Sequence, residues 1–277
     1  MKGESGMDGD TLQAAGLKDI ASKFVSARLA ARPLAAYPGD VPQDLKTGYI
    51  CQDYAIDLWP DEVRGWKVGR IPPAIEQQFR SDRLAGPIFE KSIRHASNGE
   101  ALEMRVFDGG FAAIEAEYVA VIGSDAPAGK TEWSMEEAAA MIRDLRLGLE
   151  IASSPLRTIN QLGPAVIVSD FGNNAGLIVG KSIRNWKVRD LESMSCEAFI
   201  QGSSVGTGGA FRLSGGPVRS VQFMLQLAAG RGRPLHAGDV IATGQTTGIH
   251  EIVPGESARI VFDGDGEVRC RVVAATA

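Results

Sequence analysis

The feature that most constrains this chain is a pair of glutamates set into an otherwise apolar strand. Side chains of a strand alternate between faces. In Ala113-Ile114-Glu115-Ala116-Glu117-Tyr118-Val119-Ala120-Val121-Ile122, Glu115 and Glu117 therefore point the same way, with Val119 and Val121 continuing their face. Ile114, Ala116, Tyr118, Ala120 and Ile122 form the other face. Both faces are partly apolar, which predicts a buried strand. Two carboxylates side by side there repel each other and lose hydration, so they need a cation, a shared proton or an opening to water. A third carboxylate, Glu150, sits in Leu147-Gly148-Leu149-Glu150-Ile151-Ala152, a second apolar strand. Three oxygen ligands that leave positions for water and substrate suit Mg²⁺ or Mn²⁺. Taken alone, the pattern also fits Glu115 and Glu117 on the wet face of an edge strand.

Around these strands the chain divides into a helical start and a strand-rich remainder. Leu17, Ile20, Ala21, Phe24 and Ala27 recur at helical spacing and predict a helix over residues 12–31. Pro33, Pro38 and Pro42 break the chain. Leu45, Tyr49, Gln52 and Ile56 then mark one face of a second helix ending near Trp59-Pro60. Residues 1–64 are read as an N-terminal helical region and 65–277 as a catalytic, β-rich domain. Ser134-x-x-Glu137 is a capping box, and Met135, Ala138, Ala139, Ile142 and Leu145 are its expected buried stripe. A further helix is expected over residues 218–230. Strands are expected at 65–71, 112–123, 148–153, 164–169, 175–184, 195–201, 239–243 and 257–273. The helices are inserted rather than alternating with the strands, so the fold class is α+β.

The bulk properties narrow the function. The chain has 277 residues, with 44% hydrophobic and 23% charged, enough for a sizeable core. A net charge of −5 argues against a nucleic-acid partner, because phosphate binding needs a basic surface. No run approaches the roughly 18 apolar residues of a membrane helix, and the polar start has no secretory apolar stretch. Cys51, Cys196 and Cys270 are far apart and match no zinc spacing, which fits a reducing compartment. A cytoplasmic protein is expected.

Several stretches, in order, carry a resemblance to a known family. Glu115-x-Glu117 followed by Leu149-Glu150-Ile151 resembles the metal triad of the fumarylacetoacetate hydrolase superfamily. Gly65-Trp66-Lys67-Val68-Gly69, Asp170-Phe171-Gly172-Asn173-Asn174-Ala175-Gly176, Gly216-Pro217-Val218, Pro234-Leu235-x-x-Gly238-Asp239, Gly244-Gln245-Thr246-Thr247-Gly248 and Pro254-Gly255-Glu256 are similar to segments of its hydratase and decarboxylase branch. The likeness covers about residues 45–273. It implies a mixed β-sandwich roll with an N-terminal helical cap. It also implies a homo-oligomeric lyase hydrating a short 2-hydroxydienoate, with Glu115, Glu117 and Glu150 on Mg²⁺ or Mn²⁺. Decarboxylation of a 2-oxo-dioate, acylpyruvate-type hydrolysis and a non-catalytic assembly subunit are the alternatives. A metal at the 2-oxo group stabilises an enolate as a Lewis acid. The resemblance gives Lys67 proton transfer or stabilisation of the dienolate, with a pKa expected to be depressed by a nearby cation and apolar walls. Arg70, Asn173, Asn174, Thr246 and Thr247 are its candidate substrate contacts.

The chain departs from that branch in two places. Leu84 stands where many hydratases carry an Asp, and Ser153 and Pro155 replace an Asp and an Arg after the third metal ligand. Other signals are discounted. His95, His236 and His250 form no cluster. Asp53 and Asp57 read as a solvated helix face, and Gly206-Thr207-Gly208-Gly209 reads as a loop. Gly230-Arg231-Gly232-Arg233-Pro234 resembles a minor-groove hook but stands alone in an acidic chain, so a tight turn is expected.

Overall fold

The computed structural model describes residues 9–97 and 99–277; the polar start considered above lies largely outside them. Two helices come first, α1 (Gly9–Leu29) and α2 (Leu45–Leu58), the second capped by Asp44, whose carboxylate accepts from the Thr47 backbone N–H at 2.8 Å. Leu17, Ile20, Ala21 and Phe24 of α1 share one apolar core with Cys51 and Ala55 of α2 and Ile151 of the sheet beneath.

An eight-stranded sheet forms the centre. Its strands are β1 (Val63–Arg70), β2 (Arg83–Phe89), β3 (Ile93–His95), β5 (Phe111–Ile122), β6 (Ile142–Ser154), β7 (Asn174–Ser182), β10 (Val240–Ala242) and β11 (His250–Glu251). The order is β2-β1-β10-β5-β6-β7-β3, with β11 also pairing β5, and β1–β10 and β3–β7 are parallel while the other pairings are antiparallel. Although well apart in that order, β2 and β7 touch, so the sheet curls into a roll. Ile88, Val119, Val121, Leu177, Val179, Val240 and Ala242 meet inside it as a separate apolar cluster. A five-stranded sheet, β4 (Ala101–Val106), β8 (Ser195–Ile200), β9 (Ser203–Gly209), β12 (Ser257–Phe262) and β13 (Gly266–Ala274), runs in the order β4-β13-β12-β8-β9 and packs outside the roll. With α3 (Pro73–Phe79), α4 (Met135–Met141), α5 (Pro164–Ser169) and α6 (Gly216–Gly230), this is an α+β fold.

Four expectations are corrected. Residues 164–169 are helix α5, not a strand: Pro164 sits at its start, and burial on every side makes the β-branched run pack as a turn and a half of helix. The capping box of Ser134 and Glu137 is present, but its helix ends at Met141. Ile142 and Leu145 belong to β6, because Leu145, Leu147, Leu149 and Ile151 repeat every two residues and pair with β5. The stretch 257–273 is two antiparallel strands turning at 263–265. Gly206-Thr207-Gly208-Gly209 is the end of strand β9, pairing Ser195 through Ala198. The tight turn at Arg231 and Arg233 does form. Both guanidiniums pair with Asp53, at 2.7 and 2.9 Å, and Arg233 also reaches Asp57 at 2.7 Å, so these two aspartates tie α2 to the end of α6.

Cys51, Cys196 and Cys270 are buried and free. Burial pushes their thiols up to about 12, about 11 and about 12, so they stay protonated at neutral pH. The native chain should therefore leave a thiol reagent such as dithionitrobenzoate unconsumed at pH 8 and titrate three thiols in denaturant; rapid labelling of the native chain would contradict the packing. No helix among the described residues is long and apolar enough to cross a membrane.

Candidate metal centre

The three glutamates meet because β5 and β6 are neighbours. Glu115 lies directly opposite Glu150 in the antiparallel register, and Glu117 lies two residues on, opposite Gly148. All three are buried, and one ligand oxygen from each lies within 4.8 Å of the others. The wet-edge reading fails here, because β5 is flanked on both sides and its carboxylates face the inside of the roll. Lys67 enters from β1, whose register partners are Gly86 and Ala242, and its Nζ is 3.3 Å from Glu150 Oε1. Lys67 too is buried, at 5% exposure.

The hydrogen bonds at this site are half complete. Gly244 N–H donates to Glu117 Oε2 at 2.7 Å, and Asn174 Nδ2 donates to Glu150 Oε1 at 3.0 Å. Glu117 Oε1 and Glu150 Oε2 have no partner. A buried carboxylate oxygen left bare costs on the order of 1–3 kcal/mol. Burial raises Glu117 well above the ordinary carboxylate range, with Glu150 and Glu115 adding repulsion. Burial also raises Glu115 to about 7, against the pull of Lys67. The lysine is the reverse of the expectation. Burial draws its pKa down, but Glu115, Glu150 and Glu117 together more than offset that, and it ends above its ordinary value. With all four groups ionised the site carries two negative charges in excess. A hard divalent cation would neutralise them, and two inward oxygens stand bare for it. The residues fit Mg²⁺ or Mn²⁺.

The remaining candidates divide between two sides. Gly244 also lines a cavity of about 330 Å³, together with Arg70, Arg83, Arg212, Gln245, Thr246 and Thr247, so the cavity and the triad meet at that residue. Arg70 is half exposed and leans to Glu76 at 3.9 Å. The Thr246 hydroxyl donates to the Ala116 carbonyl at 2.9 Å, so it holds the loop on β5. Thr247 Oγ1 is 3.1 Å from His250 Nε2. Asn173 and Asn174 lie on the other side of the roll. Asn174 holds Glu150, whereas the Asn173 amide is 3.4 Å from Asn160 Oδ1.

Five residues were given no individual role by the sequence reading. Gly244 acts through its backbone, which no side-chain pattern reveals. Arg83 and Arg212 join Arg70 only through the cavity. Arg28 and Asp170 form a buried pair, Nε to Oδ1 at 2.5 Å. One legible signal existed for it: Arg28 follows Ala21 and Phe24 on the buried stripe of α1.

No family model matches the chain. It is 29% identical over 107 residues to a 4-oxalocrotonate decarboxylase of Pseudomonas putida, a match covering 39% of this chain and 40% of that protein. Over its fold it is similar to the 4-oxalocrotonate decarboxylase from Pseudomonas putida G7 complexed with magnesium and adipate. That match has a TM-score of 0.78 and 19% identity and covers 96% of this chain and 99% of the other. It is also similar to a fumarylpyruvate hydrolase from Pseudomonas aeruginosa in complex with Mn²⁺ and pyruvate, with a TM-score of 0.56 and 19% identity, over 78% and 91% of the two chains. The chain therefore shares its fold with the 4-oxalocrotonate decarboxylase and fumarylpyruvate hydrolase structures, which is the fold that the resemblance read in the sequence implied.

Proposed function

We propose that this chain is a divalent-metal-dependent lyase acting on a short 2-oxo acid. The observation that carries the reading is the buried cluster of Glu115, Glu117, Glu150 and Lys67, three acids against one base, with two bare carboxylate oxygens. When bound there, Mg²⁺ or Mn²⁺ supplies Lewis-acid stabilisation of the charge that grows on a 2-oxo oxygen during enolate chemistry. The chain's own residues do the rest. Gly244 N–H and the Asn174 amide fix one oxygen each of Glu117 and Glu150, which leaves the other oxygen of each aimed inward. Lys67 Nζ moves the proton to and from the substrate's carbon skeleton, and its attraction to three carboxylates keeps it charged for the donating step. The apolar cluster deeper in the roll keeps water from the far side.

The arginine-lined cavity bears on which lyase reaction this is. Burial, with Arg219 and Arg70 beside it, holds the Arg83 guanidinium below its usual range in spite of Asp82. Arg212 pairs with no carboxylate among the described residues. With Arg70 leaning to Glu76 and Arg83 paired with Asp82, one guanidinium in excess lines the cavity that meets the triad at Gly244, and a second carboxylate matches it. That guanidinium gains nothing from a dienoate that ends in an uncharged methylene. This favours decarboxylation of a 2-oxo-dioate over hydration of a dienoate, and adipate, bound by one of the structural relatives, is a linear dicarboxylate.

The test uses purified full-length chain with Mn²⁺ and a panel of short 2-oxo-dioates and 2-hydroxydienoates. A dioate is expected to be consumed with release of carbon dioxide, and EDTA is expected to stop it. Water addition without carbon dioxide would assign hydration instead. Mn²⁺ binding with no turnover of any member would overturn the enzymatic reading in favour of an assembly subunit.

A further inference from the structure

The segment that carries Asn174 to Glu150 is held in an unusual backbone. Phe171, Gly172 and Asn173 have φ values of 52°, 66° and 62°, three left-handed residues in a row. Two of them have side chains, and such a conformation costs on the order of 1–3 kcal/mol for each non-glycine residue unless its surroundings over-determine it. The turn touches the metal centre twice. Gly172 packs on Lys67, so that a Cβ there would lie 3.2 Å from Lys67 Cδ, and it faces Gly86 backbone to backbone. One residue further, the Asn174 amide reaches Glu150.

What over-determines the turn comes from the opposite end of the sequence. Arg28, in the last turn of α1, is buried, and its fork bridges the two residues that flank the left-handed run. Nε and Nη2 bind the Asp170 carboxylate at 2.5 and 3.0 Å, and Nη1 donates to the Asn174 carbonyl at 3.0 Å. Nη2 also reaches the Ser153 carbonyl at 3.2 Å, and Ser154 Oγ donates to Asp170 Oδ2 at 2.5 Å. The guanidinium lies between two rings, 5.3 Å from Phe107 and 5.0 Å from Phe171. Residues 153–155 are where the chain has Ser-Ser-Pro in place of the Asp and Arg its resemblance would supply. The fork and carboxylate found against Ser153 and Ser154 come instead from α1 and the strained turn.

We infer that Arg28 is a positioning residue of the metal centre: its guanidinium clamps Asp170 to Asn174 across the left-handed Phe171-Gly172-Asn173 turn and thereby sets the Asn174 amide on Glu150. The inference rests on the metal-centre reading above. A lysine at position 28 keeps the charge but cannot hold both flanks, because the planar fork is what reaches two partners at once.

The readout is Mn²⁺ affinity, measured by electron paramagnetic resonance on chelator-stripped full-length chain, with the melting temperature recorded beside it. Asn174→Ala is expected to weaken Mn²⁺ binding by roughly 10–100-fold, the range for groups that orient a metal ligand. Arg28→Lys should weaken it within the same range. The double variant should be no weaker than Asn174→Ala alone, since the clamp acts through that amide. A folded Arg28→Lys chain with wild-type Mn²⁺ affinity overturns the inference, whatever its melting temperature, and so do fully additive losses. Should Arg28→Lys not fold, Asn174→Ala decides: wild-type affinity there severs the clamp from the carboxylate. A wild-type chain that binds no Mn²⁺ would overturn the metal reading and the clamp together, whereas normal wild-type binding with an unaffected Arg28→Lys variant would overturn the clamp alone.

Discussion

Glu117→Gln is expected to remove Mn²⁺ binding and bring turnover to background. Glu117 is fully buried, and the oxygen it would give a metal is the one without any other partner, so the amide loses a charge and a ligand at once. The loss of affinity should exceed the roughly 10–100-fold that a supporting residue costs. Stability moves the other way. In the metal-free wild type, burial raises the Glu115 carboxyl from 4.5 to about 7 and also raises Glu117 well above its ordinary range, so the folded chain keeps protons that the unfolded chain has already released. Metal-free stability should therefore fall as pH climbs from about 4.5 to about 7, where the folded chain binds more protons than the unfolded one. In Glu117→Gln that slope should flatten, and the metal-free variant should melt above metal-free wild type at pH 8. Mn²⁺ at a hundredfold excess over its dissociation constant should stabilise the wild type by about 2.7 kcal/mol, a rise of roughly 5–10 °C, and should leave the variant unchanged. Calorimetry with and without Mn²⁺ reads all of this. An equal metal-induced rise in both proteins would refute the assignment of Glu117 as a ligand.

Lys67→Met is expected to separate chemistry from binding. Its ammonium is the positive group in contact with the triad, 3.3 Å from Glu150, so removing it strengthens the triad's pull on a cation. Mn²⁺ affinity should hold or tighten. Turnover should fall by roughly 10²–10⁴, the contribution of a positioned proton-transfer group. Measuring kcat beside Mn²⁺ affinity makes the split visible. If the two fell together, Lys67 would be a structural counter-ion, and if turnover were retained the proton would travel by another group.

How much of this was legible in the chain depends on the distance over which each signal acts. The period-two pattern around Glu115 and Glu117 is local, and it predicted a buried strand with both carboxylates on one side, as found. The capping box was equally local and marked the start of α4 correctly, while the end of that helix was misread. Met135, Ala138, Ala139 and Ile142 satisfy a helical period, but Leu145 begins the alternation that β5 pairs with, and that pairing lies outside any short window. Residues 164–169 show the same limit, since an apolar β-branched run is indistinguishable as strand or buried helix until its neighbours are known. The direction of the Lys67 shift also failed locally. Apolar walls were visible in sequence, whereas the sum of three carboxylates against them was not.

By itself the sequence determined that three acids lie on two apolar strands, a property of alternation that a chain carries before it folds. The lysine between glycines and the glycine-bearing loop were singled out by the family resemblance. Only the tertiary structure decided that β6 lies beside β5 in the register that sets Glu150 against Glu115. The closure of the roll then brings Gly244 and Asn174 to the two carboxylates from opposite sides, and an arginine of the first helix braces the turn beneath. Register and long-range contact depend on how every strand and helix fills one shared core, and no stretch of sequence contains that information alone.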